Sequence, residues 1–203
     1  MQVDSHSPLL KVCGITRQED ATVCEKMGVD FCGFIFHPAS PRYVTPEQAS
    51  ALQTGNCKRV GVFTIQDAGE ILKIMALARL DYAQLHARQD EAVIRAIGSE
   101  RVIRVQFPET PGVAIQTTAT DSVCSPKVAY TLFDSGYGTG KAFDWQLLSG
   151  APRPFFVAGG LHAMNIPELL AVCQPDGLDV NSGVELSPGI KSEKLIREIK
   201  DLL

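Results

Sequence analysis

The sequence predicts an α/β fold: a compact, single-domain (β/α)8 barrel over residues 1–203. Three observations predict it. Eight short apolar, β-branched runs recur along the chain, each followed by a loop and an amphipathic stretch. Gly and Pro are spread along the length, and no Ser/Gly linker, charge block or low-complexity segment marks a second domain. Dividing 203 residues by eight leaves about 25 for each strand, helix and their connections, with no room for an inserted domain. Strands alternating with helices pair in parallel through right-handed crossovers. An open doubly wound sheet shares those buried parallel strands and competes with the barrel. The count of eight favours closure, although a barrel typically takes about 250 residues.

The elements follow in order. The run Leu9–Cys13 precedes a helical pattern in which Ala21, Val23, Cys24 and Met27 recur at 3.6 spacing. Phe31–Phe36 is the second strand, and Thr45 as N-cap with Pro46 in the first turn opens the helix after it. Arg59–Phe63 leads to a helix whose apolar face holds Ile71, Leu72, Met75 and Ala78. Tyr82–Leu85, Val102–Phe107 and Val128–Phe133 are the next three strands. The helical stretches after the last two of these are weakly patterned and are expected to be short. Phe155–Ala158 is followed by a helix starting near Pro167 and Glu168. After Gly177–Val180 comes a last helix, Glu193 to Leu203, with Leu195, Ile196, Ile199, Leu202 and Leu203 on one face.

Composition narrows the function classes. With 19 basic and 23 acidic side chains the net charge is −4, so nothing attracts the chain in general to nucleic acid or to an anionic membrane surface. A local basic pocket for a small anion remains compatible with that balance. No apolar run reaches membrane-helix length, and the first residues carry Asp4 and His6 rather than a basic and then apolar leader, so a cytoplasmic protein is expected. The cysteines at 13, 24, 32, 57, 124 and 173 form neither a Cys-x-x-Cys pair nor a metal knuckle, and reduced thiols are expected. Monomer and homodimer both stay open.

In a barrel, active sites lie at the C-terminal ends of the strands. Cys13 ends strand 1 beside Gly14. A thiol there, with a lowered pKa, can act as a base, while a packed Cys is an equal alternative. Strand 6 ends in Asp134 ahead of the Gly-rich run Ser135–Lys141, which suits an acid beneath a closing lid and equally a carboxylate capping the next loop. That run fails the spacing of both nucleotide-binding glycine motifs. Gly159 and Gly160 follow strand 7, and Ser182 and Gly183 follow strand 8. These are the two loops from which a barrel grips phosphate, so a phosphorylated small-molecule substrate is expected, although either loop alone would pass for a tight turn. Arg42, in the stiff loop His37–Tyr43, could clamp a carboxylate or pair with Glu47. His86 ends strand 4 and faces the same mouth, as a catalytic or simply a hydrogen-bonded neutral histidine.

Taken together, these runs resemble the phosphoribosylanthranilate isomerases of tryptophan biosynthesis. The resemblance covers nearly the whole chain, in the family's order. It is carried by Lys11–Thr16 with Glu19–Ala21, Gly33–Phe36 with Ser40–Val44, Arg59–Phe63, Gln84–His86, Gly138–Lys141 with Phe143–Trp145, Ala158–Leu161 and Asp179–Glu185. It implies Cys13 as general base and Asp134 as general acid. Arg42 would hold the anthranilate carboxylate and Gly159, Gly160, Ser182 and Gly183 the phosphate, with His86 and Asp179 among the substrate-binding residues. It implies no cofactor and no metal. Two departures stand out: Ala87 replaces the family's usual glycine after Gln-Leu-His, and the loop after Phe63 lacks a frequent asparagine. Rival readings are the related sugar isomerase of histidine synthesis, a dual-substrate isomerase, and a catalytically silent phosphate-binding barrel.

Overall fold

The computed structural model describes residues 7–86, 91–108, 127–136 and 143–203. Eight parallel strands close into a barrel in sequence order, with β1 (Leu9–Val12) bonded to β2 (Phe31–Ile35) on one side and to β8 (Gly177–Val180) on the other. Between them run β3 (Lys58–Phe63), β4 (Tyr82–Leu85), β5 (Val102–Gln106), β6 (Tyr130–Phe133) and β7 (Phe155–Val157). The expected runs therefore sit on the observed strands within one or two residues at each end. Cys13, Phe36, Phe107 and Ala158 lie just past the last hydrogen-bonded position.

The outer layer holds α1 (Gln18–Lys26), α2 (Pro46–Ala51), α3 (Ala68–Leu77), α4 (Glu91–Ile97), α5 (Ile166–Val172) and α6 (Glu193–Lys200). Thr45 caps α2 as expected, its hydroxyl accepting from the Gln48 N–H while the Gln48 side chain accepts from the Thr45 N–H. Asp67 and Glu70 make the same reciprocal cap at α3. Pro167 falls in the first turn of α5.

Three expectations change. Among the described residues after β6 the weak pattern yields only a four-residue 3-10 turn, Trp145–Leu148, and the stretch after β5 falls largely outside the described residues. Leu72 and Leu202 are exposed rather than packed, because α3 turns only Ile71 and Met75 fully inward and α6 ends at Lys200. A short antiparallel hairpin, β9 (Glu185–Ser187) and β10 (Ile190–Lys191), follows β8 where the pattern suggests only a loop.

Strand pairing fixes which side chains point inward. Residues alternate faces along a strand, and partners across a parallel ladder share a face. Leu10 and Val12 pack outward under the helices, so Leu9, Lys11 and Cys13 face the barrel axis. The lower interior is closed by Phe31, Tyr82, Tyr130 and Phe156, packed edge to face at centroid separations of 5.0 to 6.0 Å. Further toward the C-terminal end, inward positions of β1, β4 and β8 become polar: Lys11, Gln84 and Asp179. That switch sets the floor of the site.

Candidate active site

A cavity of about 390 Å³ opens at the C-terminal end of the barrel, and its lining includes Cys13, Arg42, His86, Asp134, Gly159, Gly160, Asp179, Ser182 and Gly183. All nine residues selected from sequence thus meet in one place, although they come from six different strand ends.

Cys13 is held by its backbone N–H, which donates to the Val180 carbonyl at 2.8 Å, and its thiol faces the cavity floor. It is 6% exposed, and its electrostatics reverse the expectation of a lowered pKa. Burial pushes the thiol up and Asp179 adds to that, while the Lys11 and Lys191 ammonium groups pull it down without prevailing. Below it Lys11, fully buried, donates from Nζ to Asp179 Oδ2 at 2.7 Å. Burial opposes the Lys11 charge, but Asp179 and Cys13 attract it more strongly, so it stays a cation. Burial likewise pushes the Asp179 carboxyl up, and Lys11 draws it only part of the way back. Gly33 makes this packing possible, since a β-carbon there would come within 2.8 Å of Cys13 Sγ and 3.0 Å of Lys11 Nζ.

Across the cavity Asp134 extends inward beyond β6, with Oδ1 accepting from the Gly136 N–H at 3.2 Å. Burial raises its pKa despite backbone hydrogen bonds and the pull of Lys11, which moves it toward a protonated acid. His86 Nε2 lies 3.8 Å from Asp134 Oδ2, too far for a hydrogen bond. Burial lowers the His86 pKa to about 4, so the imidazole is neutral near pH 7 and the two do not form an ion pair there.

Arg42 does not pair with Glu47. Instead of exposed Glu47 it grips Glu185 of the hairpin, from Nε at 2.9 Å and from Nη2 at 2.7 Å, while keeping a place in the cavity wall. Lys191 joins them from β10, donating to Glu185 Oε1 at 2.8 Å and to Asn181 Oδ1 at 2.9 Å. Burial pushes the Glu185 carboxyl up, but hydrogen bonds from Arg42 and Lys191 more than offset it and leave it below its usual range. The pairing spans residues far apart in the chain and depends on a hairpin that local pattern does not reveal.

The loops after β7 and β8 line the same cavity. Gly159 and Gly160 take left-handed backbone angles, φ +94° and +63°, and Ser135 fills the space a side chain on Gly159 would need. Asn165 ties this loop down, its amide donating to the Gly160 carbonyl at 3.0 Å and its Oδ1 accepting from the His162 N–H. Ser182 and Gly183 open the 3-10 turn Ser182–Val184 on the other side.

Sequence reasoning passed over Lys11 and Gln84. Both could have been found as polar residues at inward positions of otherwise apolar strands, one alternation below Cys13 and His86. Gln84 Oε1 and Asp179 Oδ1 are buried with no hydrogen-bond partner among the described residues, and both residues line the cavity. Ala87, Cys124 and the run Tyr137–Lys141 lie outside the described residues. Among those described, no group of His, Cys, Asp and Glu is placed to hold a metal ion, and no helix is long and apolar enough to cross a membrane.

The family profile described as N-(5'-phosphoribosyl)anthranilate (PRA) isomerase matches residues 10–201. The chain belongs to this family. It is an isomerase, and its barrel is the family's. An N-(5'-phosphoribosyl)anthranilate isomerase from Desulfovibrio desulfuricans is 49% identical over 190 residues, covering 91% of this chain and 90% of the relative. The crystal structure of the phosphoribosyl anthranilate isomerase of Thermus thermophilus superposes with a TM-score of 0.83 at 34% identity, covering 95% of this chain and 96% of that one. A family structure in complex with reduced 1-(o-carboxyphenylamino)-1-deoxyribulose 5-phosphate superposes with a TM-score of 0.79 at 29% identity, covering 96% and 97%.

Proposed function

We propose that this chain catalyses the Amadori rearrangement of N-(5-phosphoribosyl)anthranilate to 1-(2-carboxyphenylamino)-1-deoxyribulose 5-phosphate, as a cytoplasmic enzyme of tryptophan biosynthesis that needs no cofactor. The observation that carries this reading is the meeting of Cys13 and Asp134 in one cavity whose lining also includes Arg42 and the paired loops after β7 and β8.

Asp134, biased by burial toward its protonated form, gives its proton to the ribose ring oxygen. The bond from that oxygen to C1 breaks, and the anthranilate nitrogen lone pair completes a Schiff base. The Cys13 thiolate then takes the proton from C2, and the electrons left behind form an enolamine that tautomerises to the ketone. Arg42, anchored on Glu185, turns its remaining N–H donors to the anthranilate carboxylate. The phosphate rests between Gly159–Gly160 and Ser182–Gly183. Asp179 Oδ1 and Gln84 Oε1, two buried acceptors, receive hydroxyl protons of the sugar.

The test is direct. Purified protein is expected to abolish the fluorescence of freshly prepared substrate. Cys13→Ser and Asp134→Asn are each expected to lower turnover by roughly 10²- to 10⁴-fold. Undiminished turnover in either variant would remove that residue from the mechanism.

A further inference from the structure

The proposed base sits where burial works against its ionisation, so the cavity needs a counter-charge for it. We propose that Lys11 is a positioning residue for the reaction: its ammonium favours the Cys13 thiolate against burial while also neutralising Asp179. This rests on the reading of Cys13 as the base.

Geometry supports the assignment. Lys11 and Cys13 occupy successive inward positions at the end of β1, and Lys11 is the ladder partner of Asp179 on β8. One Nζ proton goes to Asp179 Oδ2 at 2.7 Å, which leaves two donors on a side chain with no access to solvent. Nζ and the Cys13 sulfur converge on the space that Gly33 keeps open, where a β-carbon would come within 3.0 Å of the one and 2.8 Å of the other. A larger residue at position 33 would separate them. A buried Lys–Asp pair with no other task is weakly stabilising at best beside an apolar pair of similar volume, and the floor below it is already apolar and aromatic. Here the pair replaces that apolar packing only in the layer beneath the reacting thiol.

Other charged or titratable groups face the same space: Asp179 from β8, Lys191 from β10, Arg42 from the loop after β2, His86 after β4 and Asp134 after β6. Asp179 opposes the thiolate and Lys11 favours it, so the two can be separated by removing them in turn. With Asp179→Asn the carboxylate hydrogen-bonded to the ammonium is gone, and the thiol and the Asp134 carboxyl remain near it. With Lys11→Met/Asp179→Asn both charges are gone, and the floor is neutral and free of an orphaned ion.

The experiment follows alkylation of Cys13 by iodoacetamide against pH, with peptide-resolved mass spectrometry to read this cysteine apart from the other five. The alkylation midpoint of Asp179→Asn is expected at least about one pH unit below that of the double variant, which makes Cys13 roughly tenfold more reactive at pH values below both midpoints. Coincident midpoints would overturn the proposal, because a lysine that served only to neutralise Asp179 has no effect once Asp179 is gone. Circular dichroism establishes that each variant is folded. If the methionine variant is not, Lys11→Gln/Asp179→Asn carries the same prediction. Turnover is not needed for this readout, so loss of the base assignment would show separately, as a Cys13→Ser enzyme with normal rate.

Discussion

The lower and upper halves of the barrel interior are built on the same strands, yet they are chemically opposite. Phe31, Tyr82, Tyr130 and Phe156 fill the lower half with interlocked rings. One alternation higher, Lys11, Gln84 and Asp179 begin a polar floor, and at the next step Cys13, His86 and Asp134 ring the cavity. The lower half is well packed and its groups need nothing from a ligand. The upper half holds a thiol and a carboxyl, Cys13 and Asp134, pushed up in pKa, and two buried acceptors without partners among the described residues. One end of a strand thus holds the fold together and the other stores the unfavourable burial that chemistry uses.

The sharpest way to break this division is Phe156→Ala. It removes a 1% exposed ring that packs 5.0 Å from Tyr130 and 5.6 Å from Phe31, and should lower unfolding stability by about 3–5 kcal/mol in urea titration. Turnover per folded molecule should stay within a few-fold. A loss below about 1 kcal/mol would mean that the ring layer is not what secures the lower half.

A smaller effect should come from His86. Its pKa is lowered from 6.5 to about 4, so the unfolded chain binds this proton between those values while the folded one does not. Stability attached to this group is therefore complete above pH 6.5 and is lost as pH falls toward 4. With the ring still partly exposed the loss should be on the order of 1–3 kcal/mol. Comparing urea midpoints of wild type and His86→Gln at pH 7 and pH 4.5 checks it, and equal pH dependence of the two proteins would refute it.

The smallest is a gain. Since burial raises the Asp134 pKa, the fold disfavours its ionised form above the ordinary carboxylate range. Asp134→Asn should raise the thermal midpoint at pH 7.5 while turnover collapses, and the two proteins should converge near pH 3.5, where both side chains are neutral. A lower midpoint at pH 7.5 would show that the ionised carboxylate stabilises the upper half instead.

Much of the site was legible because strand-end position and period-two alternation are local properties. The pattern Leu9-Leu10-Lys11-Val12-Cys13 alone puts Cys13 on the inner face, and it puts Lys11 there too. Asp134 after Leu132-Phe133 is readable in the same way. Arg42 was legible as a loop cation but its partner was not, because Glu185 is 143 positions away on a hairpin with no strong strand pattern. The sixth helix failed for the opposite reason: a weak local pattern allowed a helix that the chain replaces with a 3-10 turn.

The sequence by itself determined the order of eight strands and, by their count, favoured closure into a barrel over an open sheet, because the strand-and-helix unit repeats along the whole chain. Only the tertiary structure decided charge. The Lys11–Asp179 contact joins residues 168 positions apart, and it forms because β8 closes against β1. That same closure takes Cys13 out of water and moves its thiol up rather than down. Ionisation depends on burial depth and on neighbours brought together across the barrel, and neither is encoded in any short stretch of chain.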